Sequence, residues 1–297
     1  EFVCSFNGPN NIFIGIIFLL AIFAIFYRIL IYFNTVPLFG AILISKLLAM
    51  VFLSFLFMLI FSNVIVAIST FYLSDDMGLL LSSPINQPSI MVYKFIHAAI
   101  NSSWMVFFMG IPVFAAYTYV MKAHFLSFVF AIMVLFVFLI LAASLSILFT
   151  MLLMRFFPAK RTRDIFILLS VGFISILTVL MRLLQPEKLT NPNQLWGVME
   201  YMSSLKAPTA PYLPSAWASQ SIMGMLRYEY KEALSNAGLL LLFCVILFTA
   251  LLLLSNVLFI KGWWNAAENQ LIRYKKKFFD KINLYKLIFP VKTNIIE

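Results

Sequence analysis

The fold is decided by residues 47–72, LLAMVFLSFLFMLIFSNVIVAISTFY, and by the polar segment that follows at 73–84, LSDDMGLLLSSP. The hydrocarbon core of a bilayer is about 30 Å thick and needs about 20 helical residues to cross it. An apolar run of this length without a charged residue can satisfy its backbone in lipid only as a helix. The stretch therefore predicts a membrane-spanning helix that ends in a short polar connection.

The composition of the whole chain agrees with that prediction. Hydrophobic residues make up 63% of the sequence, charged residues 11%, and the mean hydropathy is +1.01. A soluble domain of this size cannot bury so much apolar surface, so the composition indicates a polytopic membrane protein. The net charge of +10 favours contact with anionic lipids of the inner leaflet, and we expect no nucleic-acid partner.

Six stretches of the sequence are long and apolar enough to span a bilayer, so we predict an all-α polytopic membrane helix bundle with six transmembrane helices. They are Ile12–Phe33, Leu47–Tyr72, Phe95–Val120, Phe125–Met154, Ile165–Met181 and Ala237–Ile260. The predicted domains are a six-span membrane unit at 1–262, with an external loop at 182–236, and a basic cytoplasmic tail or linker at 263–297.

Basic residues give the orientation, because cytoplasmic loops are enriched in Lys and Arg. Arg155, Lys160, Arg161 and Arg163 lie between the fourth and fifth predicted spans, and eight further Lys and Arg residues follow the sixth. Both groups therefore belong on the cytoplasmic side, together with the segment at 73–84 and both termini. The loop at 182–236 is then external.

Several kinds of chemistry have no motif in this sequence. There is no GxxxxGK[ST] phosphate loop, so we do not expect this chain to bind ATP by itself, and we expect no cofactor in it. His97 and His124 lack metal-ligand spacing, Cys4 and Cys244 lie far apart, and no metal site or catalytic residue is predicted. The chain is thus not expected to be an enzyme.

The carboxylates point to the source of energy for any transport. All eleven lie outside the six predicted spans, whereas ion-coupled transporters usually need an ionisable group at membrane depth. Energy is therefore expected to come from a partner on the cytoplasmic face.

The segment at 73–84 predicts a short helix on that face. Ser74 is suited to the N-cap, Asp75 and Asp76 fall in the first turn, and Met77, Leu79 and Leu80 form an exposed apolar surface. Such a helix either lies on the membrane surface or docks into another protein.

The second internal link, FFPAKRTRDIF, is a smaller segment of the same kind. It presents Arg161, Arg163 and Asp164, which either contact a partner or anchor the chain to anionic lipid.

Polar residues inside the second and third spans are candidates for a transport path or for helix packing, and packing is the simpler interpretation. They are Ser62, Asn63, Asn101, Ser102, Ser103 and Trp104. Serines along the spans, among them Ser54, Ser144 and Ser146, are expected to bond across helix interfaces.

Five segments, in order, resemble a known family. They are FSNVIVAISTFYLSDDMGLLLSSPI, VYKF, NSSWMVFFMGIPVFAAYTY, RFFPAKRTRDI and YLPSAWA. Together they are similar to the membrane-spanning permease of bacterial ATP-binding cassette (ABC) exporters. The resemblance implies that the 73–84 segment is a coupling helix seated in the ATPase, that PAKRTRD makes a second contact, and that YLPSAWA belongs to short external helices.

The resemblance also implies a function and partners. The chain would be a permease in the bacterial cytoplasmic membrane that exports a hydrophobic or amphipathic substrate when a separate nucleotide-binding subunit hydrolyses ATP. Similar proteins continue into a second membrane half, so we expect either further polypeptide or a second copy of the chain. The alternatives are a membrane enzyme acting on lipids and a scaffold without transport.

Overall fold

The computed structural model describes residues 9–35, 40–72, 74, 76–156 and 212–255, with scattered positions between 167 and 178. All regular structure in these residues is helical. The elements are α1 (Pro9–Asn34), α2 (Gly40–Ala67) with a π-helical end at Ile68–Tyr72, α3 (Asp76–Ser82), α4 (Gln87–Val120), α5 (Phe125–Phe156), α6 (Pro214–Leu226) and α7 (Tyr230–Ser255).

Five helices in the described part of the chain are long and apolar enough to cross a membrane. They are α1, α2 with its π-helical end, α4, α5 and α7, and they correspond to five of the six predicted spans. The predicted fifth span, 165–181, falls largely outside the described residues. The all-α prediction is confirmed for the described residues, and the count of six stays a prediction.

Three of these helices begin earlier than predicted. α2 begins at Gly40, α4 at Gln87 and α7 at Tyr230, about seven or eight residues before the apolar runs that marked them. Helical hydrogen bonding continues past the hydrocarbon boundary, which hydropathy alone does not register. The first two turns of α7 and the whole of α6 therefore lie within the predicted external loop.

α2, α4 and α5 form the centre of the bundle, and α1 and α7 lie at its periphery. Phe52 of α2 stacks on Phe114 of α4 at 5.7 Å between ring centroids and meets Phe138 of α5 edge-on at 5.1 Å. We call this cluster the far-end core, because it lies away from α3. The α3-end core contains Tyr72, Met77 and Phe95, and Phe95 meets Phe248 of α7 edge-on at 5.1 Å.

Polar side chains within the apolar helices mostly bond to their own backbone. Ser54 donates to the carbonyl of Met50 at 2.9 Å, Ser144 to Ile140 at 2.8 Å, and Ser146 to Ala142 at 2.6 Å. At these three positions the hydroxyl groups donate within their own helix, whereas Ser102 bonds across the α2–α4 contact to Asn63, as predicted. A carbonyl one turn back is always within reach of a short hydroxyl side chain, whereas a partner on another helix requires register between the two helices.

Lys122 closes the turn between α4 and α5 in the left-handed conformation, with φ 50°. The amide of Ala123 donates to the carbonyl of Thr118 at 3.1 Å, so the last turn of α4 is capped by backbone alone. Tyr228 ends α6 in the same way, with φ 63°, and its ring lies 5.7 Å from that of His124. The two turns thus meet at the far end of the bundle.

α6 is a short helix inside the segment that contains YLPSAWA, as the resemblance implied. It packs against α2 and α5, and Trp217 meets Phe243 of α7 edge-on at 5.6 Å. Ser221 donates to the carbonyl of Ala233 at 2.9 Å, which fixes α6 against the start of α7. Gly224 makes the closest approach: a Cβ there would lie 2.9 Å from the amide nitrogen of Ala233.

Gly224→Ala is therefore expected to lower the thermal midpoint of the purified protein by several degrees. The new methyl group would meet backbone atoms, α7 would have to move, and overpacking of this kind costs about 1–3 kcal/mol. Gly78→Ala in α3 is the matched control, since a Cβ at that position meets nothing within 4 Å. The two variants are compared by thermal unfolding, with the fraction of folded protein measured by size-exclusion chromatography after heating. Equal thermal midpoints for the two variants would contradict the tight α6–α7 contact.

Candidate functional site

α3 is attached to the bundle on one side and open on the other. Met77 is 1% exposed and belongs to the α3-end core, which also contains Tyr72, Met91 and Phe95. Leu79, half a turn further on, is 75% exposed. A large apolar side chain is thus held outward by a helix whose other face is fixed, as a docking surface requires.

A buried lysine connects the start of α3 to α4. Lys94 is only 4% exposed, and its ammonium group donates to the hydroxyl of Ser74 at 2.9 Å. Ser74 was predicted to cap α3, but its side chain accepts this bond instead. The connection was not predicted, because Lys94 and Ser74 are twenty residues apart and nothing in the sequence marks them as a pair.

α2 changes to a π-helix just before this connection. Ile68–Tyr72 form the π segment, and Ile68, Phe71 and Tyr72 are buried in the α3-end core. π-Helical turns inside α-helices occur frequently at functional sites, because the wider ring displaces the helix register by one residue. Here the π-helical segment is the last part of α2 before Ser74 and α3.

The C-terminal end of α3 is capped by side chains of the residues that end it. Ser82 and Ser83 donate their hydroxyl groups to the carbonyls of Leu79 and Leu80, at 2.9 and 2.7 Å. These bonds satisfy acceptors in the last turn of a helix that Pro84 follows closely. α3 is therefore a defined helical unit between two polar connections.

The structure describes only some of the residues that were predicted to couple the chain to an ATPase. Asp76 begins α3 and is exposed, as the sequence indicated, and Leu80 is half-buried. Met77 was expected to be exposed with the leucines, but it is buried because it lies on the side of α3 that faces α4. Asp75, Arg161, Arg163 and Asp164 lie outside the described residues.

Two of the polar residues predicted at membrane depth meet each other. The hydroxyl of Ser102 on α4 donates to the side-chain carbonyl of Asn63 on α2, and the amide group of Asn63 donates to the carbonyl of Leu59 at 2.8 Å. Asn63 is fully buried and Ser102 is 6% exposed. Ser103 is also buried and Ser62 half-buried. Asn63 and Ser102 therefore lie within the α2–α4 contact.

Asn101 and Trp104 lie on the opposite, exposed side of α4. They share that side with Tyr93, His97 and Phe108 and with three apolar side chains, Ile96, Ile100 and Met105. The signal for this face was available, since steps of three or four residues place its members on one side of the helix. It was missed because hydropathy averaged over a span does not separate its faces.

The far end of the bundle carries a surface cavity of about 700 Å³ between α4 and α5. Its lining is largely apolar, with Phe125 and Phe128 on one side, Tyr119 on another and the cationic side chain of Lys122 at the turn. In the described part of the chain, no three His, Cys, Asp or Glu residues come together as a metal site would need.

A scan against protein-family models matches residues 11–295 to a family described as putative ATP-binding cassette. The match covers nearly all of the printed sequence, including α1 to α7 and the segments between them. No curated protein and no solved structure matches the chain significantly.

Proposed function

This chain belongs to the putative ATP-binding cassette family, and we propose that within an ABC transporter it is the permease rather than the ATP-binding subunit. The family description refers to nucleotide binding, but the chain itself has no GxxxxGK[ST] motif. Its five apolar helices instead suit a membrane-spanning component. We propose that ATP and Mg²⁺ are bound by a separate subunit.

The observation that carries this proposal is the geometry of α3. Leu79 is 75% exposed while Met77, two residues earlier, is fully buried in the α3-end core. A cytoplasmic ATPase that receives Leu79 in a groove could push on α3, and Met77 and Lys94 would transmit the displacement to α4. Alternating access would follow if nucleotide binding favours one of two packings of the bundle.

We further propose that the permease is an exporter in a bacterial cytoplasmic membrane, with the α3 end inside. Its substrate would be hydrophobic or amphipathic, and a second membrane half or a second copy would complete it. Basic residues at Arg155 and after α7 favour this orientation and would contact anionic lipids. The PAKRTRD link would add a second ATPase contact through Arg161, Arg163 and Asp164.

Orientation is tested by single cysteines at the two ends of the bundle. Ser82→Cys on α3 should react with an impermeant thiol reagent only when the cytoplasmic side is open, and Lys122→Cys only from outside. Both positions are exposed, so access to reagent is decided by the membrane and not by packing. The opposite labelling pattern would invert the orientation and remove α3 from the reach of a cytoplasmic ATPase.

The permease function is tested by purifying the tagged chain from bacterial membranes in mild detergent. We expect a subunit with a GxxxxGK[ST] sequence to co-purify in a fixed ratio and to show ATPase activity that the permease changes. A membrane enzyme acting on lipids or a scaffold would be recovered without it. Reproducible recovery without any ATPase would overturn the proposal.

A further inference from the structure

The far-end cavity, by which we mean the surface cavity between α4 and α5, combines one cation with an apolar wall. Lys122 lies at the turn, and among the residues that the structure describes no Asp or Glu lines the cavity. Most of the remaining lining is apolar or aromatic, namely Ala115, Tyr119, Phe125 and Phe128. The volume of about 700 Å³ lies within the range of about 300–1,000 Å³ that sites for small ligands occupy.

Two features make the cavity electrically positive. One is the ammonium group of Lys122, which is exposed. The other is the start of α5, whose first residue, Phe125, lines the cavity. The N-terminus of a helix carries a partial positive charge, and no acidic side chain in the first turn of α5 offsets it. Both features attract an anion to the same place.

The backbone at Lys122 does not favour a lysine. Its φ of 50° is left-handed, a conformation that glycine and asparagine adopt most readily. Backbone outliers of this kind cluster at active sites and ligand sites, where the side chain has a use that offsets the strain. Here the outlier supplies the cation in the described lining of the cavity.

The charge and the apolar wall lie in a fixed order along α4. Lys122 lies just beyond the end of the helix, and Ala115 lies about two turns before it. At about 1.5 Å per residue, the lining extends about 10 Å along the helix. α4 and α5 are both long and apolar enough to span a bilayer, so their connecting turn lies at a membrane surface and Ala115 lies deeper. A phospholipid presents its phosphate and its acyl chains in the same order.

Aromatic side chains form the sides of the cavity. Tyr119 is 68% exposed, and its ring meets Tyr27 of α1 edge-on at 5.7 Å. Phe125 is 76% exposed, and its ring centroid lies 6.0 Å from that of Phe128. Tyrosine is enriched at membrane surfaces, where its ring meets acyl chains and its hydroxyl meets headgroups. This wall suits an amphiphile better than a small soluble anion.

We propose that the far-end cavity binds one phospholipid with a net negative headgroup, such as phosphatidylglycerol. Its phosphate lies at Lys122 and the start of α5, and the first part of its acyl chains lies against Ala115, Phe125 and Phe128. A headgroup with its own ammonium group would meet Lys122 with like charge, which favours the anionic lipids. The site lies at the opposite end of α5 from Arg155 and involves no ATPase, so it is independent of the permease function.

The site is tested by photo-cross-linking of the delipidated full chain in mild detergent. The probe is a phosphatidylglycerol with a diazirine near the start of one acyl chain, and cross-linked peptides are identified by mass spectrometry. We expect cross-links within residues 115–128 and competition by unlabelled phosphatidylglycerol.

Three competitors define what the cavity recognises. Diacylglycerol with the same chains lacks the phosphate, phosphatidylethanolamine adds an ammonium group, and glycerol phosphate lacks the chains. Each should compete about fivefold less well than phosphatidylglycerol, the ratio expected for one lysine–headgroup contact. Equal competition by any of the three, or cross-links only elsewhere in the chain, would overturn the proposal.

Variants separate the charge from the apolar wall. Lys122→Asn removes the cation and keeps a residue that tolerates the left-handed backbone, so it should lower the cross-linking yield about fivefold, whereas Lys122→Arg should maintain it. Ala115→Phe fills part of the cavity without a change of charge and should lower the yield as well. Lys231→Gln is the matched control, because Lys231 is exposed at the same end of the bundle but does not line the cavity. Full yield in Lys122→Asn, or an equal loss in Lys231→Gln, would overturn the site.

Discussion

Leu79→Asp is expected to reduce recovery of the proposed ATPase partner with this chain by at least tenfold and to abolish the chain-dependent stimulation of ATP hydrolysis. Burying a leucine side chain contributes about 1.5–3 kcal/mol, and Leu79 has three quarters of its surface available for a partner. An aspartate in its place would be buried without a counter-charge, which adds several kcal/mol of desolvation. A loss of 1.4 kcal/mol already lowers affinity about tenfold.

The fold of the chain itself should be unaffected by this change. Leu79 is not part of either core, so Leu79→Asp should be produced and unfold like the unmodified protein. Asp76→Asn is the matched control on the same helix, because an exposed charge near a helix terminus is worth only about 0.3–1 kcal/mol. Should Leu79→Asp retain full ATPase recovery, α3 is better explained as a helix lying on the membrane surface.

The spans could be predicted from sequence because their physical requirement is simple. An apolar run such as 47–72 can satisfy its backbone hydrogen bonds in lipid only as a helix, and the position of the run in the sequence indicates which residues cross the membrane. The helix starts at Gly40, Gln87 and Tyr230 were not predicted, since residues beyond the hydrocarbon boundary carry no hydropathy signal for or against a helix. The exposure of Asp76 could also be predicted, because a charged residue in the first turn of a short helix outside the membrane is expected to face water.

The contacts that build the candidate site could not be predicted from the sequence. Whether Met77 or Leu79 faces the bundle depends on the rotation of α3 about its axis, and that rotation is known only from the packing of Met77 in the α3-end core. The pairs Lys94–Ser74 and Asn63–Ser102 join residues twenty and thirty-nine positions apart. Such pairs follow from helix register and packing, which a single sequence does not encode in any local pattern.

Lys94→Met and Ser74→Ala are expected to free α3 equally but to change the stability of the bundle in opposite directions. Both remove the hydrogen bond between the Lys94 ammonium group and the Ser74 hydroxyl. Methionine replaces the buried cation with an apolar chain of similar length, and such replacements are often neutral or stabilising. Ser74→Ala instead leaves the ammonium group, 4% exposed, without the acceptor that the structure gives it.

The thermal midpoint should therefore be unchanged or raised in Lys94→Met and lowered in Ser74→Ala, where an unsatisfied buried donor costs about 1–3 kcal/mol and more if it is charged. In both variants hydrogen exchange at Asp76–Ser82 should become faster, because α3 keeps Met77 as its main attachment to α4. Stimulation of the ATPase should fall in both, since a helix loosely joined to α4 cannot transmit a displacement. Equal midpoints for the two variants would mean that Lys94 finds another acceptor when Ser74 is removed, and the hydrogen bond would then not be what holds α3 in place.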